Sequence, residues 1–241
     1  MATFASLFGK TGIEWTRKVG NYKQIVSGRG NNIWIIDDAG VISCGLNSYK
    51  QYTLKAGAAQ ISVAADGAVA AVDNANGVHL FENDGWKRLT SITAKQIALQ
   101  SSSIMFFVNE EGILQRYNIT NDAVDKRDYG VVDFVTAASD GTLWGLVNDQ
   151  VLRWNGFCWD LINGQKMKHL SVGSALLVVG INQDDEIFQF VKSSWLQIAG
   201  KLRNITVTID GILYVCDKRE DANTQVGMIQ GYTNARDDSK E

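Results

Sequence analysis

Six stretches of this chain begin in the same way, and the distance between them is nearly constant. Gln24-Ile-Val-Ser, Gln60-Ile-Ser-Val, Gln96-Ile-Ala-Leu, Phe134-Val-Thr-Ala, His169-Leu-Ser-Val and Asn204-Ile-Thr-Val each carry an apolar residue in second place. Those residues are Ile25, Ile61, Ile97, Val135, Leu170 and Ile205, spaced by 36, 36, 38, 35 and 35 residues. A period of this length marks a repeat architecture, in which each unit buries a face that it cannot bury alone.

Each unit reads as four short strands. The first ends in a turn, often Asp-Gly as at Asp66-Gly67 and Asp210-Gly211. The second climbs to an Asn or Asp at Asp37, Asp73, Asn109, Asn148, Asn182 and Asp217. The third is Val41-Ile-Ser-Cys, Val78-His-Leu-Phe, Ile113-Leu-Gln-Arg, Val151-Leu-Arg-Trp or Ile187-Phe-Gln-Phe. The fourth is an aromatic phrase: Trp15-Thr-Arg-Lys-Val-Gly20, Tyr52-Thr-Leu-Lys-Ala-Gly57, Trp159-Asp-Leu-Ile-Asn-Gly164 and Trp195-Leu-Gln-Ile-Ala-Gly200, with Trp86-Lys-Arg-Leu-Thr keeping the aromatic and losing the glycine. The 241 residues include no proline, so turns fall to Gly, Asn and Asp, which tolerate positive φ.

These features predict one all-β domain over residues 1–241, a six-bladed β-propeller of four-stranded antiparallel blades, with repeats starting near 21, 57, 93, 131, 166 and 201. A β-sandwich accommodates so strict a repeat poorly. The third unit has Asp125 where its aromatic belongs, which predicts a ragged outer strand. The last unit lacks a fourth-strand phrase, while the chain opens with a surplus one, Ile13 to Val19. Residues 1–20 are therefore expected to complete the last blade and close the ring, with Val226 to Tyr232 preferred over Phe4 to Phe8 as its third strand.

Net charge −3 and pI 5.5 leave no basic face for phosphates, which argues against nucleic acid. Cys44, Cys158 and Cys216 are far apart and form neither a zinc spacing nor a disulfide framework. With only His79 and His169, in different units, a histidine-based triad or metal site is not expected, and no cofactor is implied. The acidic clusters Asp37-Asp38, Glu110-Glu111 and Asp184 to Glu186 read as solvated turns, with a weak calcium site left open. The sequons at Asn118 and Asn204 read as chance matches. The N-terminus does not read as a signal peptide and no run approaches the ~18 apolar residues of a spanning helix. The expectation is a cytoplasmic protein, or one exported without a standard leader, that does not insert into membranes.

Asp140-Gly-Thr-Leu-Trp-Gly-Leu-Val-Asn148, followed by Trp154-Asn-Gly-Phe-Cys-Trp-Asp-Leu-Ile-Asn-Gly164, resembles the tectonin β-propeller repeat, and Trp195 to Val207 is the next clearest copy. The resemblance extends over nearly the whole chain. It implies a non-enzymatic, multivalent lectin of innate defence that recognises surface glycans such as lipopolysaccharide or O-methylated sugars. Aromatic faces that could pack on sugar C–H groups recur at Trp34, Phe106, Trp144 and Tyr214 in second strands, and at Trp15, Tyr52, Trp86, Trp159 and Trp195 in fourth strands. The same residues also suit packing between blades. Ala70 and Val179 interrupt the pattern, so fewer than six competent sites are expected. Unit one (Trp34, Tyr52) and unit four (Trp144, Trp159) keep both aromatics and are the first choices. The competing reading is a protein-interaction scaffold, and self-association stays open.

Overall fold

The computed structural model describes residues 18–20, 22–30, 32–45, 50–218 and 224–229. Apart from the short β1 (Lys18–Gly20) and the last three strands, the strands fall into groups of four. Blade one holds β2 (Tyr22–Ser27), β3 (Ile33–Asp37), β4 (Ile42–Cys44) and β5 (Lys50–Tyr52), and blade two β6 (Ala58–Val63), β7 (Val69–Asp73), β8 (Gly77–Glu82) and β9 (Gly85–Thr93). Blade three holds β10 (Gln96–Ser101), β11 (Ile104–Val108), β12 (Leu114–Asn118) and β13 (Ala123–Val124). Blade four has β14 (Phe134–Ala137), β15 (Leu143–Val147), β16 (Gln150–Trp154) and β17 (Trp159–Ile162), and blade five β18 (His169–Ser174), β19 (Leu177–Ile181), β20 (Glu186–Val191) and β21 (Ser194–Lys201). Then follow β22 (Asn204–Val207), β23 (Leu213–Lys218) and β24 (Thr224–Ile229).

Among the described residues there are six four-stranded antiparallel sheets and no helix. Five are meanders of consecutive strands. The sixth is composite, in the order β1-β24-β23-β22, with Lys18 opposite Val226. The fold is thus an all-β propeller of four-stranded antiparallel blades. Trp15, Phe4 to Phe8 and Tyr232 lie outside the described residues. Blade three has a two-residue outer strand ending at Val124, just before Asp125, as the missing aromatic suggested.

The innermost strands β2, β6, β10, β14, β18 and β22, one from each sheet, line a central channel of about 380 Å³. There each presents an unpaired backbone edge, which a side chain from the preceding blade can satisfy. Gln24 donates to the Ile61 carbonyl at 3.1 Å and accepts from the Ile61 N–H at 2.9 Å. Gln60 does the same to Ile97 at 2.8 and 2.8 Å, and Gln96 to Val135 at 2.7 and 2.9 Å. The glutamine preceding the apolar landmark in each of the first three repeats is therefore a clamp between blades. Close approach recurs at the far ends of these strands: a Cβ on Gly28 would sit 1.9 Å from the Ala64 carbonyl oxygen, and one on Gly173 2.4 Å from that of Thr208.

The turns are built by carboxylates and amides. Asp73 Oδ1 accepts from the N–H groups of Ala75 and Gly77, both at 2.8 Å, and Asn109 and Asn182 act alike on their own hairpins. In the Asp-Gly turns the carboxylate also reaches the next blade: Asp66 accepts from Ser102 N–H at 2.7 Å, Asp140 from Ala175 at 2.9 Å and Asp210 from Gly30 at 3.2 Å. The recurring acids are thus committed to turns and blade junctions.

Candidate functional site

The repeated aromatics converge at three blade junctions. Between blades one and two, Trp34 stacks on Tyr52 with centroids 5.7 Å apart, and meets the edges of Phe81 at 4.8 Å and Trp86 at 6.1 Å. Between blades three and four, Phe106 packs on Tyr129 at 5.5 Å, Tyr129 on Trp154 at 5.2 Å, and Trp154 on Trp159 at 5.3 Å. Between blades four and five, Trp144 meets Phe190 at 5.1 Å and Trp195 at 6.2 Å. In the first and third boxes the second-strand aromatic meets the next blade's third-strand Phe and fourth-strand Trp, whereas in the second Tyr129 stands between Phe106 and Trp154. The outer pairs face each other across a hairpin, as Phe81 and Trp86, Trp154 and Trp159, or Phe190 and Trp195.

This arrangement corrects half of the predicted site. Trp34, Phe106, Trp144 and Tyr214 are buried, Trp144 at 1% exposure and Tyr214 at 0%; the first three pack on other rings and Tyr214 lies in an apolar cluster with Ile25 and Ile33, so none offers an open platform to a sugar. Blade packing claims them because the β-sheet pleat turns the second-strand aromatic toward the following blade. The Tyr214 hydroxyl donates to the Gly30 carbonyl at 2.6 Å, and burial with the nearby Asp210 charge pushes its pKa up to about 12. Trp144 and Trp159 do not form one site, since they belong to different boxes. Tyr52, Trp86, Trp159 and Trp195 are partly exposed at the rims. At the junction of blades two and three, Ala70 removes the inner ring, and buried Tyr117 fills the space with its hydroxyl on Asp122.

The best-equipped rim lies between blades one and two. Beside the partly exposed Trp86 and Tyr52, the Tyr52 hydroxyl donates to Asp84 at 2.5 Å. Lys50 pairs with the same carboxylate, its ammonium 5.3 Å from the Tyr52 ring centre. An apolar ring face thus adjoins an acceptor and two donors, the chemistry that holds a sugar by its C–H face and hydroxyls. At the junction of blades three and four, Asn155 donates to Asp160 at 2.9 Å, and the Trp159 indole donates to the Tyr129 carbonyl at 2.7 Å. The indole N–H groups of Trp86, Trp144 and Trp195 are buried and have no hydrogen-bond partner among the described residues.

Sequence reading missed Phe81, Trp154, Phe190, Tyr129, Lys50 and Asp84. For the first three the signal was present, because the third-strand phrases of units two, four and five all end in an aromatic. Tyr129 was hidden by the irregular segment of blade three, and Asp84 read as an ordinary turn residue. It has φ +63° in a two-residue hairpin with Asn83 at +50°. Among the described residues no group of three or more His, Cys, Asp or Glu side chains is arranged to hold a metal ion, and no helix is long and apolar enough to cross a membrane.

Fold and junctions together define a β-propeller whose repeated aromatic signature is spent mainly between blades. Residues 132–222, which span blades four and five and much of the composite sheet, match the Tectonin domain, the family that the repeats resemble. No curated protein matches the chain in sequence. Among solved structures, the WD40 repeats of RRP9 superpose with a TM-score of 0.64 at 9% identity, covering 88% of this chain and 96% of that one. A Bacteroides thetaiotaomicron protein of unknown function superposes at 0.65 with 10% identity, covering 93% and 74%. YCF48 bound to a D1 peptide superposes at 0.57 with 14% identity, covering 86% and 78%. At such identities the likeness is one of fold alone.

Proposed function

We propose that this chain is a non-enzymatic lectin that binds surface glycans, including lipopolysaccharide or O-methylated sugars, at the rims of its blade junctions. The observation that carries the reading is the rim between blades one and two, where Trp86 and Tyr52 keep exposed surface beside Asp84 and Lys50. The tectonin match over residues 132–222 supports it. The other fourth-strand tryptophans, Trp159 and Trp195, give two further rims, so three junctions on one ring supply the avidity that weak single sites need. A glycan array that includes methylated sugars and lipopolysaccharide tests this. Binding that is lost in Trp86→Ala and weakened in Asp84→Asn supports the lectin, and an array without any binding refutes it.

The composite sheet is, on the same reading, the sixth blade of a closed ring. Its support is the bond from Ile25 N–H to Asn204 at 3.0 Å, that from Arg203 to the Tyr22 carbonyl at 3.1 Å, and the pairing of β1 with β24. Deleting residues 1–20 is expected to lower the melting temperature of the whole chain, and an unchanged melt contradicts closure. A second reading, a protein-interaction scaffold, draws on Phe157 and Leu176, which stand 91% and 74% exposed on hairpin tips. Loss of a protein partner on Phe157→Ser, with no glycan bound, would favour it.

A further inference from the structure

The clamps around the channel change character on one side. Three glutamines bridge blades one to four with two bonds each, whereas Phe134, His169 and Asn204 occupy the same position in the remaining sheets. Phe134 offers only a ring edge to His169, at 5.4 Å. His169 Nε2 lies 2.9 Å from the Ile205 carbonyl and 3.3 Å from the Asn204 amide nitrogen, and Asn204 Oδ1 accepts from the Ile25 N–H. A neutral imidazole nitrogen serves one of these neighbours at a time, as donor to Ile205 or as acceptor from Asn204. An imidazolium leaves only donors facing the Asn204 amide and places a charge in a channel wall whose described side chains are neutral apart from Lys23.

We propose that the chain His169, Asn204, Ile25 is an acid-labile latch, in which protonation of His169 loosens the composite sheet from blades five and one. Among the described residues, the carboxylates on the neighbouring strands already have partners. On the same strand, Lys168 is paired with Asp185. On the β22 side, Arg203 is paired with Asp38 at 2.8 Å. On the β14 side, Asp133 accepts from the Asn148 N–H at 2.7 Å. Near the same mouth, Lys23 donates to the Ala58 carbonyl at 2.7 Å.

Desolvation in the channel wall, with a smaller push from Lys168, lowers the His169 pKa against the opposing bond to Ile205. A base with a lowered folded pKa is protonated first in the unfolded chain. Its contribution is therefore complete above the ordinary histidine value of about 6.5 and is lost as pH falls from there toward the folded value.

The test is the melting temperature of the full chain at pH 7.5 and 5.5. Wild type is expected to lose about 2–5 °C through this group, a loss capped by pH 5.5 lying only about one unit below the ordinary histidine value. His169→Gln installs the residue that clamps three other junctions and should abolish that difference. His79→Asn, which leaves His169 in place, should retain the wild-type fall. A wild type without the fall, or an equal fall in His169→Gln, overturns the latch. If His169→Gln does not fold, NMR of wild type decides. Ile25 and Ile205 amide signals that move as the His169 ring titrates support the proposal, and amides that stay still overturn it.

Discussion

Replacing Trp144 by alanine separates the two roles that a repeated tryptophan can have. The ring is 1% exposed and is enclosed by Phe190, Trp195 and the apolar cluster of Leu146, Leu170 and Val172. Its removal leaves a cavity between two blades. Truncations of this kind cost about 3–5 kcal/mol, which in a chain of this size lowers the melting temperature by roughly 6–20 °C. Trp144→Phe should be far milder, at about 1–2 kcal/mol. Phe106 already serves at the same place in the box between blades three and four, and the lost indole N–H leaves no partner behind among the described residues. Thermal and urea unfolding of the two variants, followed by far-ultraviolet circular dichroism, measures both. If Trp144→Ala melts within about 2 °C of wild type, the box does not hold the blades and the assignment of the inner rings to packing is wrong.

Gln60→Ala removes both bonds to Ile97 and is expected to cost about 1–3 kcal/mol in urea unfolding, less if channel water satisfies the freed groups. In acid, burial works against the charge of Asp66 and Asp140, but backbone N–H groups of Ser102 and Ala68, and of Ala175 with the N–H and hydroxyl of Thr142, outweigh it and lower both carboxyl pKa values. Their stabilisation is present above the ordinary aspartate value of about 3.9 and is lost as pH falls through the folded values, so a double Asp66→Asn, Asp140→Asn variant should show a shallower loss of stability below about pH 4. Ser193 holds φ +66° beside Lys192 at +47° in the β20–β21 hairpin. Ser193→Gly is expected to gain about 1 kcal/mol, read as a rise of about 2–4 °C in the melt.

The architecture was legible because a repeat of near-constant length repeats the same hydrogen-bonding problem. The apolar landmarks Ile25, Ile61 and Ile97 and the Asp-Gly turns at Asp66, Asp140 and Asp210 could be placed from spacing alone. The site was less legible, because an aromatic at a fixed repeat position looks the same whether it faces a neighbouring blade or solvent. Trp34 and Trp86 differ by strand, and only the packing of the next blade shows that the first is enclosed while the second keeps a free edge. The glutamines before each landmark looked like polar starts of strands. Their role as clamps depends on the backbone edge of a blade some 36 residues away.

The seven tryptophan indole N–H signals permit a direct reading of glycan recognition in solution. In a ¹⁵N-labelled sample titrated with an O-methylated mannoside or another glycan selected on the array, Trp86 should shift in a saturable manner while the enclosed Trp144 stays still. If no indole signal moves at millimolar sugar, or if Trp144 moves and Trp86 does not, glycan binding at the junction rims is contradicted.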